Sequence, residues 1–269
     1  MKEFRISFTK DICSVSLTHV FFKTFFYFFF SFFIIVFGNC KLETWGKSHG
    51  EGGKDITLSG LTLPPASGKK PDSIIVLFHG YGDFGENFLF LGALLGQLLP
   101  DTLFVSPDGP IGCKSIPSGK QWLSSPKNNK TQLLKEIKNL IPPLNQYLDN
   151  LLKTYDIPPE KMAFLGFSQG ARIALHIGLR RPTCAGIVAM SGSYLDDPSA
   201  VNLSQPPILI LHGTTDQKAP VSLAQESYKR LDALKMPVML ILLPGVGHDV
   251  DPQGLEIAGE FLKDCLSGK

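Results

Sequence analysis

One stretch of the sequence decides the fold: KMAFLGFSQGARIALHI, residues 161–177. A short apolar run leads into Gly-Phe-Ser-Gln-Gly at residues 166–170, and apolar residues at helical spacing follow. The five-residue pattern is weak evidence alone, but with a strand before it and a helix after it, it is typical of a nucleophile elbow. The glycines are needed because a side chain on either flank would collide with the strand or the helix. We therefore predict that Ser168 stands exposed at a sharp turn, at a helix N-terminus that favours negative charge.

Strand and helix patterns alternate along the rest of the chain, without an internal repeat. Apolar runs predict strands from about residue 55 and over 73–78, 102–106, 185–190, 207–211 and 238–243. Helical spacing predicts helices over residues 87–99, 131–155, 221–235 and 253–265. Strands that are apolar throughout and alternate with helices form a parallel sheet with helices on both faces. We predict one α/β domain over residues 46–269.

Three segments depart from this alternation. Residues 41–54 are polar and glycine-rich, which predicts a linker. Residues 111–130 have no periodicity and are long for a plain connection, which indicates a functional loop. Pro142 and Pro143 stand inside the predicted helix 131–155, and we expect them to bend or split it.

The first forty residues differ in composition from the rest. They hold twelve of the chain's twenty phenylalanines and join a basic start to an uncharged run over residues 24–38. This pattern resembles a secretory signal or a short membrane anchor, which would make the protein exported or membrane-associated. The same pattern arises when T-rich DNA upstream of a gene is translated from a mis-assigned start, which would leave the protein cytoplasmic. Against this, no methionine lies between Met1 and Met162. We treat residues 1–45 as a separate hydrophobic segment outside the fold prediction.

Charge and cysteine content exclude several classes of function. Removing the four basic and two acidic residues of the first forty leaves 22 residues of each sign. Such a neutral body gives no electrostatic reason to expect a nucleic-acid partner. The five cysteines are widely spaced and form no Cys-x-x-Cys pair, so the sequence predicts no zinc or redox site.

The partners of Ser168 are expected where other strands end, because chemistry collects at the carboxyl ends of parallel strands. Asp216 follows the predicted strand 207–211, and His248 follows the predicted strand 238–243. The chain order serine, aspartate, histidine is that of the α/β-hydrolases. His248 would take the proton of Ser168 and return it to the leaving group, while Asp216 would fix the imidazole tautomer.

Other residues compete for these two roles. Asp196 and Asp197 follow the preceding strand, but they stand in a Leu-Asp-Asp-Pro turn that we interpret as solvated. We interpret His212, at a strand end before glycine, as a core histidine with its hydrogen bonds satisfied. His79 belongs to a separate glycine-rich motif. Only His248 follows the last predicted strand, and it is therefore our candidate base.

Acyl transfer also needs hydrogen-bond donors aimed at the tetrahedral oxyanion. The backbone N–H of Gln169, directly after the serine, is the expected first donor. The second is expected from the loop after strand 73–78, where His-Gly-Tyr-Gly-Asp occupies residues 79–83. We choose the N–H of Tyr81 as that donor.

Four motifs together resemble the phospholipase/carboxylesterase family, the group of α/β-hydrolases that includes the acyl-protein thioesterases. They are His79–Asp83, Gly166–Gly170, Gly213–Asp216 and Gly247–His248. The resemblance runs from about Asp55 to the C-terminus. It implies an α/β-hydrolase fold without a large cap domain, and a hydrolase that needs no metal and no cofactor.

The resemblance also assigns the site residues. The family's catalytic triad and oxyanion hole fall on Ser168, Asp216, His248, Tyr81 and Gln169. In the family, the residue at Trp122 belongs to a loop beside the acyl pocket and is commonly followed by Phe-Asp. Here Leu123 and Ser124 follow instead, so this sequence departs from the family at the expected pocket.

We therefore expect a serine hydrolase that cleaves carboxyl esters or thioesters of acyl chains through an acyl-enzyme. The substrate would be a small-molecule or lipid acyl ester or thioester, or an acylated protein, and the N-terminal segment would supply any membrane association. Lysophospholipase activity is the alternative within the same chemistry, and a membrane anchor would favour it. A non-catalytic binding protein of the same fold is the alternative from another class. Such proteins usually lose a triad member, and here all three are present.

Overall fold

Apolar strands build the centre of the molecule, which the computed structural model describes for residues 41–48, 56–124 and 129–268. The strands in these ranges are β1 (Lys41–Ser48), β2 (Ile56–Leu63), β3 (Ser73–Phe78), β4 (Thr102–Pro107), β5 (Ile111–Gly112), β6 (Lys120–Gln121), β7 (Met162–Phe167), β8 (Gly186–Met190), β9 (Ile208–Gly213) and β10 (Val238–Leu243). Every residue of β3, β4, β8 and β9 is buried. Burial of all positions, rather than alternate ones, is what a sheet covered on both faces requires.

Eight of these strands form one sheet in the order β1-β2-β4-β3-β7-β8-β9-β10, and β5 pairs with β6 separately. From β4 to β10 neighbouring strands of the sheet run parallel, whereas β1 and β2 are added antiparallel at one edge. The predicted mostly parallel sheet is therefore confirmed. The carboxyl ends of β3, β7, β9 and β10 lie at the same edge, and the predicted site residues follow these ends.

Helices connect the parallel strands and cover both faces of the sheet. They are α1 (Gly85–Phe88), α2 (Phe90–Leu95), α3 (Lys130–Tyr155), α4 (Gln169–Arg180), α5 (Val221–Ala233) and α6 (Pro252–Ser267), with a 3-10 turn at Pro159–Lys161. Successive residues of a strand point to opposite faces. On β8, a Cβ at Gly186 would lie 2.8 Å from Cys265 of α6, while the next residue, Ile187, contacts Gly178 of α4. Helices α4 and α6 therefore pack on opposite faces, as the sequence predicts.

Three details of the sequence-based prediction are wrong. The predicted helix 87–99 is two short helices, α1 and α2, which are separated at Leu89. The predicted linker 41–54 contains β1, while residues 49–54 lie outside the described ranges. Of the two outcomes expected at Pro142 and Pro143, the split is wrong, because α3 is one helix of 26 residues that includes both prolines.

Backbone pairing and the packing of a buried helix face explain two of these differences. Strand β1 pairs through its backbone with β2, and such pairing does not depend on an apolar side-chain pattern. In α3, buried side chains continue on both sides of the two prolines, with Ile137 and Leu140 before them and Leu144 and Leu148 after them. Because most helical stability in proteins comes from packing of an apolar face, the helix continues although two backbone donors are lost.

The predicted signal or anchor, residues 1–40, lies outside the described ranges. The domain boundary that the sequence places between residues 45 and 46 stays a prediction, and β1 runs across it. Within the ranges that the structure describes, no helix combines the length and apolar character needed to cross a bilayer.

The glycines of the elbow permit close contact between backbones. A Cβ at Gly166 would lie 2.3 Å from the carbonyl oxygen of Gly170. A Cβ at Gly170 would lie 1.9 Å from the carbonyl oxygen of Phe78, at the end of β3. The first turn of α4 therefore rests directly on the backbone of β3, and only glycine allows this approach.

We predict that Gly170→Ala destabilises the fold by about 3 kcal/mol, the upper end for overpacking, because a backbone carbonyl cannot turn aside as a side chain can. Gly112→Ala is the matched control, since nothing lies within 4 Å of its Cβ position. Its effect should stay within about 0.5 kcal/mol. Urea unfolding followed by tryptophan fluorescence measures both. Equal free energies of unfolding for the two variants would contradict the proposed contact.

Candidate active site

Ser168 lies at the turn between β7 and α4 with φ 55° and ψ −111°. A non-glycine residue keeps such a conformation only when its surroundings hold it there. The N–H of Ser168 donates to the carbonyl of Met190 at 2.8 Å, and a Cβ at Gly192 would lie 2.7 Å from the carbonyl oxygen of Ser168. The hydroxyl does not cap α4, so it is free to bond elsewhere.

That hydroxyl meets the two side chains that the sequence predicts as its partners. Ser168 Oγ lies 3.0 Å from Nε2 of His248, and Nδ1 of His248 lies 2.7 Å from Oδ2 of Asp216. The ring of His248 also packs against Phe167, with ring centroids 4.9 Å apart. A carboxylate, an imidazole and a hydroxyl in this order can transfer the hydroxyl proton to the ring and stabilise the resulting charge.

The loops that carry Asp216 and His248 are fastened to each other. The N–H and the hydroxyl of Thr215 both donate to the carbonyl of Val246, at 3.0 Å and 2.8 Å. Because β9 and β10 are parallel neighbours, these loops leave the sheet side by side. The short distance between carboxylate and imidazole therefore follows from strand order and from two local hydrogen bonds.

Asp216 is surrounded by donors. Its Oδ1 accepts the N–H groups of Lys218 at 2.9 Å and Ala219 at 2.8 Å, while Oδ2 faces His248. Burial alone would raise the pKa of this carboxyl, but the bonds from Ala219, His248 and Lys218 together hold its pKa below the ordinary value. Asp216 therefore remains an anion, as a residue that orients an imidazolium must.

A second histidine lies beside the same carboxylate. Nε2 of His212 is 2.7 Å from the carbonyl oxygen of Ala219 and 3.5 Å from Oδ2 of Asp216. Because a carbonyl only accepts, Nε2 carries the hydrogen and holds the turn that donates to Asp216. The ring is fully buried, as predicted, and Nε2 has the expected partner, whereas Nδ1 has no hydrogen-bond partner among the described residues.

The rival carboxylates point elsewhere. Asp197 is buried and pairs with Arg180 at 2.9 Å and Lys138 at 3.2 Å, so our interpretation of it as solvated is wrong. Asp196 pairs with Arg230 at 3.0 Å. Neither is hydrogen-bonded to the candidate base. In the described ranges, no three His, Cys, Asp or Glu side chains cluster closely enough to hold a metal ion.

The glycine-rich loop after β3 lies against the elbow. A Cβ at Gly80 would be 3.6 Å from Cβ of Ser168. Neither the N–H of Tyr81 nor that of Gln169 has an acceptor within the described part of the chain. Both N–H groups therefore lack a partner in segments that adjoin Ser168, and their role as oxyanion donors stays a prediction.

His79, which the sequence assigned only to a motif, sets the direction of one of these donors. Its Nε2 accepts the N–H of Gly109 at 2.9 Å, so Nδ1 carries the hydrogen and donates to the carbonyl of Gly80 at 2.7 Å. Burial lowers the pKa of His79, which favours this neutral form. Carbonyl and following N–H point in opposite directions in a trans peptide, so the N–H of Tyr81 points away from the His79 ring.

The side chain of Gln169 ties the irregular loop 111–124 to the elbow. Its Oε1 accepts the N–H of Trp122 at 2.6 Å, and its Nε2 donates to the carbonyl of Leu123 at 2.8 Å. Trp122 is only 2% exposed, and its ring N–H donates to the carbonyl of His79 at 3.0 Å. Its predicted role beside the acyl pocket stays a prediction, while its observed contacts support the loop that carries Tyr81.

Known proteins resemble this chain in sequence and in fold. A sequence model described as phospholipase/carboxylesterase matches residues 65–266, which is most of the chain. The chain belongs to this family. The family predicted from the four sequence motifs is thereby confirmed.

Two curated relatives and one solved structure illustrate the similarity. The chain is 28% identical over 240 residues to acyl-protein thioesterase 1 of Mycosarcoma maydis, covering 78% of this chain and 98% of that protein. It is 26% identical over 198 residues to esterase YpfH of Escherichia coli (strain K12), covering 72% and 84%. The crystal structure of esterase PE8 matches with a TM-score of 0.72 and 34% identity, covering 78% of this chain and 99% of that one. The α/β-hydrolase fold is confirmed by these matches.

We predict that Asp216→Asn lowers kcat for a p-nitrophenyl ester by about 10³ to 10⁴-fold, because an amide donates to Nδ1 and favours the wrong imidazole tautomer. Asp249→Asn is the matched control: it removes an exposed carboxylate directly after His248 whose one hydrogen bond within the described ranges comes from the N–H of Val250. Steady-state kinetics on both variants is the measurement. An Asp216→Asn enzyme as active as the control would remove Asp216 from the proposed site.

Asp197 generates a prediction about stability. Burial would raise the pKa of its carboxyl, but bonds from Ser199, Lys138 and Arg180 hold the pKa at about 2, below the ordinary 3.8. A depressed pKa stabilises the fold fully above 3.8, and this contribution is lost as pH falls through the folded value. Asp197→Asn should therefore lower the free energy of unfolding by about 2 kcal/mol at pH 7. The difference from the wild type should narrow between pH 3.8 and 2.

Urea unfolding at several pH values tests this expectation. Asp156→Asn is the control, because the Asp156 side chain is 89% exposed and its ion pair with Lys70 lies at the surface. Such a pair contributes little at any pH. If the difference in the free energy of unfolding between wild type and Asp197→Asn stays constant as the pH is lowered, the carboxylate charge is not what stabilises this region.

Proposed function

We propose that this protein is a serine hydrolase that cleaves carboxyl esters or thioesters of acyl chains through an acyl-enzyme on Ser168. Membership of the phospholipase/carboxylesterase family makes it a hydrolase of the esterase and thioesterase type. The observation that carries the finer proposal is the hydrogen-bonded chain from Ser168 through His248 to Asp216, at 3.0 Å and 2.7 Å.

In the first half of the reaction, Nε2 of His248 accepts the proton of Ser168 as Oγ attacks the substrate carbonyl carbon. The carbonyl oxygen becomes an oxyanion, and the imidazole becomes positively charged beside the carboxylate of Asp216. Collapse of the tetrahedral intermediate breaks the bond to the alcohol or thiol, which leaves with the proton from His248. The acyl group remains on Oγ as an ester.

The N–H groups of Tyr81 and Gln169 are the proposed oxyanion donors. Their lack of acceptors and the closeness of Gly80 to Ser168 support this assignment. A preorganised donor of this kind contributes on the order of 3 kcal/mol to lowering the barrier. His79 supports the first donor indirectly, since its bond to the Gly80 carbonyl fixes the Gly80–Tyr81 peptide.

In the second half of the reaction, water replaces the alcohol or thiol. His248 removes a proton from the water, whose oxygen attacks the acyl carbon, and the same donors hold the second oxyanion. Collapse returns the proton to Oγ and releases the acid. Every proton in this cycle moves through one imidazole, and the proposal requires no metal and no cofactor.

The proposed substrates are acyl esters or thioesters of small molecules, lipids or acylated proteins. The acyl-protein thioesterase and esterase relatives support an acyl group as the part held by the enzyme. Trp122 would stand beside the acyl group. Its neighbours Leu123 and Ser124 replace the Phe-Asp common in the family, so we propose that the pocket differs in shape from that of typical members.

Lysophospholipase activity is the second candidate. The family description includes phospholipases, and a membrane anchor within residues 1–40 would place the site beside lipid. Turnover of a lysophospholipid compared with an acyl thioester of equal chain length separates the two candidates. N-terminal sequencing of the mature protein, with fractionation into membrane and soluble pools, tests whether the segment is retained.

We predict that Ser168→Ala abolishes hydrolysis of p-nitrophenyl hexanoate and removes labelling by a fluorophosphonate probe, because no other hydroxyl of the described residues is bonded to His248. Ser67→Ala, in an exposed turn, is the control and should keep both signals. Intact-mass spectrometry and a spectrophotometric assay read the outcome. Wild-type protein that is folded but unlabelled would favour the non-catalytic binding protein instead.

A further inference from the structure

Arg172 is a cation that forms no ion pair with the described residues. It lies in α4, four residues after Ser168, which is about 6 Å along the helix axis. Its one hydrogen bond in the described ranges runs from Nη2 to Oγ of Ser193, at 2.9 Å. Its Nε is buried and has no hydrogen-bond partner, and no ion pair of the described residues includes Arg172.

This guanidinium is partly buried without a compensating negative charge among the described residues. Burial lowers the pKa of Arg172, and no nearby carboxylate counteracts it. Arginine nevertheless keeps its charge in proteins. Because a desolvated charge is unfavourable unless it is paired, the isolated protein gains little from placing one here. A ligand that brings an anionic group would supply the missing partner.

The hydroxyl that Arg172 contacts lies next to the reaction centre. Ser193 follows Gly192, whose Cβ position is 2.4 Å from Cβ of Ala171 and 2.7 Å from the carbonyl oxygen of Ser168. The segment that carries Ser193 therefore packs against the elbow itself. A group bound between Arg172 and Ser193 would lie within reach of a substrate attached to Ser168.

Ser193 also lines an open cavity of about 170 Å³. The other lining residues come from the loop after β8, from α5 and from the start of α3: Lys130, Tyr194, Leu195, Asp196, Leu223, Glu226, Ser227 and Arg230. The cavity therefore has both apolar and charged walls, and Arg172 adjoins it through a single hydrogen bond.

The charges that line this cavity balance, and Arg172 adds one positive charge beside it. Asp196 and Glu226 are both paired with Arg230, at 3.0 Å and 2.7 Å. Lys130, at the first residue of α3, offsets the second carboxylate through its electrostatic effect on Glu226. The charge of Arg172, which is bonded to Ser193 of the cavity wall, is therefore the one that an anion would balance.

We propose that Arg172 recognises an anionic oxygen group of the substrate, a carboxylate or a phosphate, bound at the Ser193 wall of this cavity. The planar guanidinium suits both groups, since it can offer two parallel N–H donors to two oxygens. The inference rests on the proposed function and adds a substrate class to it: acyl esters or thioesters that carry a negative charge away from the bond that is cleaved.

Two matched substrate pairs test this selectivity and distinguish the part of the substrate that carries the charge. Mono-p-nitrophenyl adipate and p-nitrophenyl hexanoate differ only in a carboxylate or a methyl group at the end of the acyl chain. Lysophosphatidate and the monoacylglycerol with the same acyl chain differ in a phosphate on the alcohol. For each pair the measured quantity is the ratio of kcat/KM, anionic substrate over neutral substrate.

We predict that Arg172→Met lowers this ratio by about tenfold or more in at least one pair, because charged hydrogen bonds are lost while the apolar stem is kept. Arg172→Lys should retain part of the preference. Lys229→Met is the control for net charge, since Lys229 is exposed on α5 and does not line the cavity. The pair whose ratio falls identifies the part of the substrate that Arg172 contacts.

Other outcomes overturn the inference. If Arg172→Met changes both members of each pair equally, Arg172 acts through packing alone. Should the variant fail to fold, the wild-type enzyme still decides, because added salt must lower kcat/KM of an anionic substrate more than that of its neutral partner. Equal salt effects reject the anion site. Hydrolysis of p-nitrophenyl hexanoate that persists in these experiments leaves the proposed hydrolase function standing, so the two failures are distinguishable.

Discussion

The contact between the backbone of Gly170 and the carbonyl of Phe78 is the constraint on which the site depends. It places the first turn of α4 against the end of β3, so the chain must reverse within the single residue Ser168. That residue takes a positive φ, which is unfavourable for a side chain and would relax if the helix could move away. The hydrogen bond from Ser168 to Met190 and the packing of Gly192 against the Ser168 carbonyl also hold the backbone of Ser168 in this conformation. The serine hydroxyl is therefore presented to the neighbouring loops.

Much of this arrangement follows from rules that connect sequence to topology. The glycine-flanked serine predicts the elbow because only one local geometry accommodates it. Asp216 and His248 could then be chosen without any knowledge of contacts, since parallel strands deliver the residues after them to one edge of the sheet. Because β9 and β10 are neighbours in the sheet, the loops that follow them also lie side by side. The two partners of Ser168 were predictable because the parallel sheet brings the residues after its strands to one edge.

What sequence could not predict depends on contacts between separate segments of the chain. Strand β1 is polar and exists through its partner β2, so a local pattern cannot reveal it. Asp197 reads as a turn residue, yet Lys138 and Arg180 reach it from two helices and make it a buried ion-pair centre. His79 fixes the Gly80–Tyr81 peptide by donating from Nδ1 to the Gly80 carbonyl. It can do so because its Nε2 accepts the N–H of Gly109, thirty residues away. Each of these needs three-dimensional information.

The buried and half-buried charges of this molecule fall into two groups, and the difference bears on selectivity. Asp216 accepts hydrogen bonds from two N–H groups and an imidazole, and Asp197 forms ion pairs with two cations, so both carboxylates have partners within the protein. Arg172, in contrast, donates one hydrogen bond, to the hydroxyl of Ser193. Because Arg172 and Ser168 lie at the start of the same helix, which Gly170 fixes on the sheet, the backbone positions that carry the guanidinium and the nucleophile keep a constant spacing. A substrate bound at both side chains must then span that spacing within the reach of the arginine side chain, so the proposed anion contact would limit the number of bonds between the cleaved carbonyl and the charge.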